Sequence, residues 1–179
     1  MKFIVMSDIH GSSYYIKEMK KVLDKECPDK IILLGDLYYH GPRNPLSKEY
    51  APMEVANILN SMKDKILAVR GNCDAEVDQM ISEFEMKENI IIDIDGKKFL
   101  FTHGHKINMD HLPEEKIDVL IYGHFHTGFI TEKGNIIIAN PGSISLPKQN
   151  TKNSYILIEN GSLVLKDLTG NVIKERKFK

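Results

Sequence analysis

The stretch FIVMSDIHGSSYYIKEMKKVLDKECPDKIILLGD, residues 3–36, holds two short apolar runs separated by a segment of a different period. FIVM and IILL are uncharged and short enough to be buried strands. Between them, SSYYIKEMKKVLDKE spaces its apolar residues as one face of a helix, with Ser12 or Ser13 placed to cap the first turn. A strand, a helix and a strand in succession make a βαβ unit, which places the two strands parallel. The alternation continues beyond it. A loop of turn residues, YYHGPRNPLSKEYAP, leads to a helix over PMEVANILNSMK with Pro52 in its first turn. KILAV is then a third strand and AEVDQMISEF a short helix.

After about residue 89 the pattern changes to β. NIIIDI and KFLFT flank Asp95-Gly96, a hairpin signal, and KIDVLIY reads as a strand. FITEKGNIIIAN turns at Gly134, and SYILIENGSLVLKDL turns at Asn160-Gly161. The C-terminal half therefore predicts a second sheet packed on the first, in a single α/β domain over residues 1–179.

Bulk properties narrow the function. With 42% hydrophobic residues the chain can bury a core, and a net charge of −1 gives no field favouring nucleic acid or an anionic membrane. Apolar runs stop at four residues, so neither a transmembrane helix nor a signal-peptide core is expected. Cys27 and Cys73 are too few for a disulfide framework. Free thiols without an export signal point to the cytoplasm.

The polar residues after each strand carry the chemistry. FIVMS ends in Asp8 with His10 two further on, IILLG in Asp36, ILAVRG in Asn72, FLFT in His103, and VLIYG in His124 with His126 two further on. In open α/β sheets the carboxyl edge of the strands is where sites form. Any one of these residues alone reads as a turn or cap residue. Together they put four histidines and two carboxylates on one edge, which capping does not explain. Glycines stand beside nearly every member (Gly11, Gly35, Gly71, Gly104, Gly123), permitting close approach of the backbone. Imidazole with carboxylate suits divalent transition metals, and the set is too large for one ion. It suffices for two, the clamp used in phosphoester hydrolysis, with a net charge of roughly +1 at the centre.

The motifs D-x-H (Asp8, His10), G-D (Gly35, Asp36), G-N (Gly71, Asn72), H-G-H (His103 to His105) and G-H-x-H (Gly123 to His126) occur in this order. The chain thus resembles the calcineurin-like metallophosphoesterases. HGPRN at 40–44, RGNCDAEVDQM at 70–80, FTHGH at 101–105 and NPGSISLPK at 140–148 are similar to the YfcE-type bacterial phosphodiesterases. The resemblance implies a four-layer α/β/β/α sandwich of two mixed sheets with a dinuclear site. It implies that Asp8, His10 and His126 hold one metal, Asn72, His103 and His124 the other, and that Asp36 bridges. The ions would be manganese, with nickel, iron or zinc as alternatives. A metal-bridging hydroxide would attack a small phosphodiester in line with its leaving group. It further implies a homo-oligomer, dimer or tetramer.

Where most of the superfamily carries a histidine after G-N, this chain carries Cys73, and a thiol is a poor replacement for an imidazolium donor. No C-x5-R loop follows it, so Cys73 reads as a bystander with at most a minor contact to substrate. Arg70 reads either as a phosphate clamp or as a salt bridge to Asp74 or Glu76. His105 is expected near the pocket, behind the ligands or as the missing proton donor. His40 and Arg43 follow Asp36 closely, so their loop overhangs the site as a substrate contact, or serves as a rigid surface loop. Ser143 and Ser145 lack a G-x-S-x-G elbow and read as turn hydrogen-bonders. Two rival functions remain, a phosphomonoesterase or nucleotidase using the same site and a non-catalytic scaffold. The scaffold would predict eroded ligands.

Overall fold

The computed structural model describes residues 1–179. Strands β1 (Phe3–Met6), β2 (Lys30–Leu33) and β3 (Ile66–Val69) are joined by helices α1 (Ser13–Glu26) and α2 (Pro52–Asn60). Helix α3 (Glu76–Ile81) then leads to a two-residue strand, β4 (Met86–Lys87). The four strands lie parallel, with Val5 beside Ile32 and Leu33 beside Ala68. Ser12 is the cap of α1, its hydroxyl accepting from the Tyr15 amide at 3.2 Å. Pro52 opens α2, where its missing N–H has no helical partner to lose.

The second sheet is built from β5 (Asn89–Ile94), β6 (Lys97–Thr102), β7 (Val119–Tyr122), β8 (Gly128–Lys133) and β9 (Ile136–Pro141), in the order β5-β6-β7-β9-β8. β6, β7 and β9 run parallel; β5 and β8 are antiparallel edges. The chain then returns to the first sheet as β10 (Ser154–Glu159), β11 (Ser162–Asp167) and β12 (Val172–Lys177). That sheet has seven strands, ordered β12-β11-β10-β1-β2-β3-β4. The turns fall where expected, with left-handed backbone at Asp95-Gly96 and Asn160-Gly161 and at Gly134.

The central strands are apolar throughout because both of their faces are buried. Along β1, Ile4 and Met6 face the helices, where they meet Ile16 and Met19 of α1 and Val55 and Leu59 of α2. Phe3 and Val5 face the other sheet, against Phe99, Phe101, Val119 and Ile121. β10 alternates in the same way, with Tyr155 and Leu157 on one side and Ile156 and Ile158 on the other. Truncating any of these residues to alanine would cost about 2–5 kcal/mol.

Two features differ from the sequence expectation. The fourth layer is loop rather than helix. The outer face of the second sheet, Leu100, Leu120, Tyr122 and Ile138, is covered by residues 103–118 through Ile107, Met109 and Ile117. There the Asn108 side chain accepts from the amides of Asp110 and His111 and donates to the Gly104 carbonyl, closing a turn that a helix would have to break. Strand β12 was not anticipated at all. All six of its residues are exposed, so VIKERK shows no burial alternation, and backbone pairing with β11 is what orders it. No helix is long and apolar enough to cross a membrane.

Candidate metal centre

The carboxyl ends of five strands, three from the first sheet and two from the second, converge on one point. β1 delivers Asp8 and His10, β2 Asp36, β3 Asn72, β6 His103, and β7 His124 and His126. Backbone hydrogen bonds lock the ends together: His10 donates to the Asp36 carbonyl at 2.9 Å and Gly123 to that of His103 at 2.8 Å. Asp8, His10, Asp36, His124 and His126 all have positive φ, between 48° and 66°. Left-handed backbone costs a side-chain-bearing residue roughly 1–2 kcal/mol, so the surroundings must impose it.

The surroundings do so with named atoms. The hydroxyls of Ser143 and Ser145 donate to the Asp8 carbonyl at 2.7 and 2.9 Å, which is their role as turn hydrogen-bonders. The buried Asp74 carboxylate accepts from the amides of Asp36, Gly71 and Leu37 at 2.7, 2.7 and 2.8 Å, tying the G-D turn to the G-N turn. Burial and the nearby Asp36 charge push its carboxyl up to about 6, against the pull of those amides. Gly71 and Gly123 are required by close approach. A Cβ at 71 would lie 2.1 Å from Asp36 Oδ1, and one at 123 would lie 1.9 Å from Ser7 Oγ.

The donor atoms form two groups, Asp8 with His10 and His126, and Asp36 with His103 and His124. In His10, His103 and His126, Nδ1 lies 2.7, 2.6 and 2.7 Å from the carbonyls of Tyr39, Leu34 and Leu146. A carbonyl only accepts, so each Nδ1 carries the proton and each Nε2 turns a lone pair inward. The Nε2 atoms of His10 and His126 then lie 3.1 Å apart, both turned to the same point. Asp8 Oδ1 sits 3.3 Å from His126 Nε2 and is buried without a hydrogen-bond donor. In the second group His103 Nε2 has Asn72 Oδ1 at 2.9 Å, His124 Nδ1 at 3.2 Å and Asp36 Oδ1 at 3.4 Å. Acceptors aimed at a common point, one of them an orphaned carboxylate oxygen, fit a cation. Burial, the largest influence on both, also lowers the pKa of His10 and His124, favouring the neutral, ligating imidazole.

Above the centre lies a cleft of about 830 Å³, reached by Asp36, Asn72, His124 and His126. Cys73 and Arg43 line it; Arg70, His40 and His105 do not. Arg70 makes no ion pair with Asp74 or Glu76, and its Nε is buried without a partner. The His40 ring instead packs edge-on to Tyr39 and Tyr50. His105 is exposed, its ring 5.4 Å from that of His103, and partial desolvation together with the neighbouring His103 lowers its pKa. The Cys73 amide donates to Asp36 Oδ1 at 2.9 Å, while burial and the Asp36 charge push its thiol up to about 12. Backbone, not sulfur, is the useful part of this residue. Sequence reasoning missed Tyr39, Phe125, Lys148 and Gln149 on the cleft wall. The available signal was position: Phe125 lies inside G-H-F-H, and Lys148 ends the NPGSISLPK string.

Comparison with known proteins agrees with this geometry. Phosphodiesterase YfcE of Escherichia coli K12 is 38% identical over 167 residues, covering 91% of this chain and 90% of its own. The solved structure of YfcE, described as a phosphoesterase, superposes with a TM-score of 0.96 at 35% identity, over all of both chains. Vps29 of Chaetomium thermophilum superposes at 0.68 with 18% identity over the full length of both, a likeness of fold alone. The calcineurin-like phosphoesterase superfamily domain matches residues 1–162. With its two mixed sheets and donor-lined strand ends, this chain belongs to the calcineurin-like phosphoesterase superfamily.

Proposed function

We propose that the chain is a metal-dependent phosphodiesterase acting on small substrates at a two-metal centre. The observation that carries this reading is the sharing of Asp36 between the two donor groups. Its Oδ2 lies 3.7 Å from His10 Nε2 and its Oδ1 3.4 Å from His103 Nε2. In this reading Asp8, His10 and His126 hold one ion, Asn72, His103 and His124 hold the other, and Asp36 serves both. Two divalent ions there supply Lewis acidity to the phosphoryl oxygens and acidify nearby water. Manganese is the expected ion, and nickel, iron and zinc accept the same nitrogen and oxygen donors.

The chain's own groups set the conditions. The three carbonyl-anchored imidazoles are fixed in tautomer and orientation, so little reorganisation accompanies the reaction. Asp8, His10 and His103 are fully buried, whereas Asn72 and His124 open onto the cleft. The phosphoryl group therefore approaches from the Asn72–His124 side. With its thiol protonated and weakly acidic, Cys73 offers no strong proton to a leaving group, which favours esters whose leaving oxygen departs without a protein acid. The 38% identity to a protein named a phosphodiesterase supports the choice of diester over monoester. The test is to strip the protein of metal and assay bis(p-nitrophenyl) phosphate and p-nitrophenyl phosphate with and without manganese. Manganese-dependent turnover of the diester is expected. Turnover of the monoester alone would replace the reading with a phosphatase, and turnover of neither, in protein that binds two ions, would favour a scaffold.

A further inference from the structure

The donor groups explain the floor of the cleft but not its rim. Eleven large hydrophobic side chains are exposed on the whole surface, and only two are aromatic: Tyr39, 41% exposed, and Phe125, 46% exposed. Both line this cleft. Each is tied to the centre through the backbone. The Tyr39 carbonyl anchors His10, and Phe125 stands between His124 and His126, edge-on to the His124 ring with centroids 5.2 Å apart. Exposed aromatic faces beside a polar centre are what base stacking uses. Arg43 and Lys148, also exposed, line the same cleft. Neither forms an ion pair, in contrast to surface lysines such as Lys17 with Glu54 and Lys63 with Glu83. The volume, about 830 Å³, lies in the upper part of the roughly 300–1,000 Å³ range of small-molecule sites. An isolated phosphate would leave most of it empty.

We infer that the rim is a nucleotide subsite: a planar base packs against Tyr39 and Phe125, Arg43 and Lys148 hold a second phosphate, and the scissile diester lies at the centre below. This inference rests on the phosphodiesterase reading and names its substrate class. A methyl or other small alkyl ester would reach the centre but leave the rim unused.

Two matched substrates separate rim from floor. A nucleoside 5′-(p-nitrophenyl phosphate) and methyl p-nitrophenyl phosphate share a leaving group and differ only in the other arm. The nucleoside ester should have a kcat/KM higher by roughly tenfold or more, mainly through KM. That ratio should fall toward unity in Phe125→Ala and recover in Phe125→Tyr. A binding measurement does not depend on turnover. Adenosine 3′,5′-bisphosphate, followed by calorimetry on the protein as purified, should bind at least tenfold tighter than inorganic phosphate. It should weaken roughly tenfold in Phe125→Ala, and likewise in the double variant Arg43→Ala/Lys148→Ala. Equal turnover of the two diesters, or a bisphosphate that binds no tighter than phosphate, overturns the subsite while leaving the phosphodiesterase reading standing. Nucleotide binding without turnover of either diester does the reverse. A shift in oligomeric state in Phe125→Ala, seen by light scattering with nucleotide binding unchanged, also overturns it and assigns the rim to a protein contact.

Discussion

Asp8 and Asp167 are both buried carboxylates, 0% and 5% exposed, and their surroundings are opposite. Asp167 is saturated with donors. Its oxygens accept from the Thr169 amide and hydroxyl, from the amide and side chain of Asn171, and from Lys152. Asp8 accepts from the His124 amide through Oδ2, and its Oδ1 has no hydrogen-bond partner and faces the Nε2 atoms of His126 and His10 at 3.3 and 3.8 Å. A carboxylate that the protein satisfies holds the fold together. One left unsatisfied among other acceptors is unfavourable without a cation, and only a site would maintain it.

That contrast is most directly broken by Asp8→Asn. The amide oxygen can keep the His124 N–H, and the amide nitrogen can donate to the His126 Nε2 that now faces an orphan. Turnover of a chromogenic diester should fall by about 10³-fold or more, because an anionic ligand is gone. Metal-free protein should keep its stability to within about 1 kcal/mol, measured by urea unfolding, because the amide nitrogen gains an acceptor in His126 as the charge is lost. A destabilised metal-free variant would mean that Asp8 is structural after all. Gly71→Ala sharpens the comparison from the backbone. The new methyl would overlap Asp36 Oδ1, so activity should drop about 10²-fold and metal content, by elemental analysis, should fall with it.

The donor-starved positions were also the ones legible in the sequence. Asp8, Asp36, Asn72, His103 and His124 each follow an apolar strand, so parallel topology brings them to the carboxyl edge of their own sheet, the packing of the two sheets joins the edges, and the adjoining glycines mark where backbones touch. The cleft wall was not legible. Tyr39, Phe125 and Lys148 reach it through loop geometry: left-handed backbone at His124, His126 and Gln149 aims those segments, and no periodicity in the sequence encodes it. Arg70 and His40 failed for the same reason, since neighbourhood in the chain did not place their side chains in the cleft. The loop over residues 103–118 and strand β12 escaped because local side-chain hydrogen bonds order the first and backbone pairing the second, with little help from apolar pattern.

The saturated carboxylate makes the complementary prediction. Contacts with Thr169, Lys152 and Asn171 hold Asp167 well below the usual carboxylate range, although burial opposes its charge. A folded-state pKa below the unfolded value of about 3.9 means that the ionised group stabilises the fold above that pH, and that this stabilisation is lost as pH falls through the folded-state pKa. Asp167→Asn should therefore cost about 1 kcal/mol at pH 7, leave diester turnover intact, and flatten the decline in stability between pH 5 and pH 2 relative to the parent, all to order of magnitude. An unchanged acid limb in thermal unfolding would show that Asp167 is not the group that titrates.

The smallest effect is expected at Cys73, which sits between the two kinds of residue. It touches the centre through an amide that any residue supplies, and its thiol, pushed up to about 12 by burial and the Asp36 charge, is neither thiolate nor useful acid near neutrality. Cys73→Ser keeps the size and the amide and should change kcat/KM by less than about threefold, with no inflection gained or lost between pH 6 and pH 9. A covalent role would instead abolish turnover and make the parent sensitive to iodoacetamide. Cys73→His is the sharper form of the same experiment, since it restores at this position the imidazole of the wider superfamily. If leaving-group protonation limits the rate, this variant should gain on esters with poorly departing alcohols and not on nitrophenyl esters, whose leaving group needs no proton. Equal gains on both would point to a change in the centre itself, through Asp36, rather than to a supplied acid.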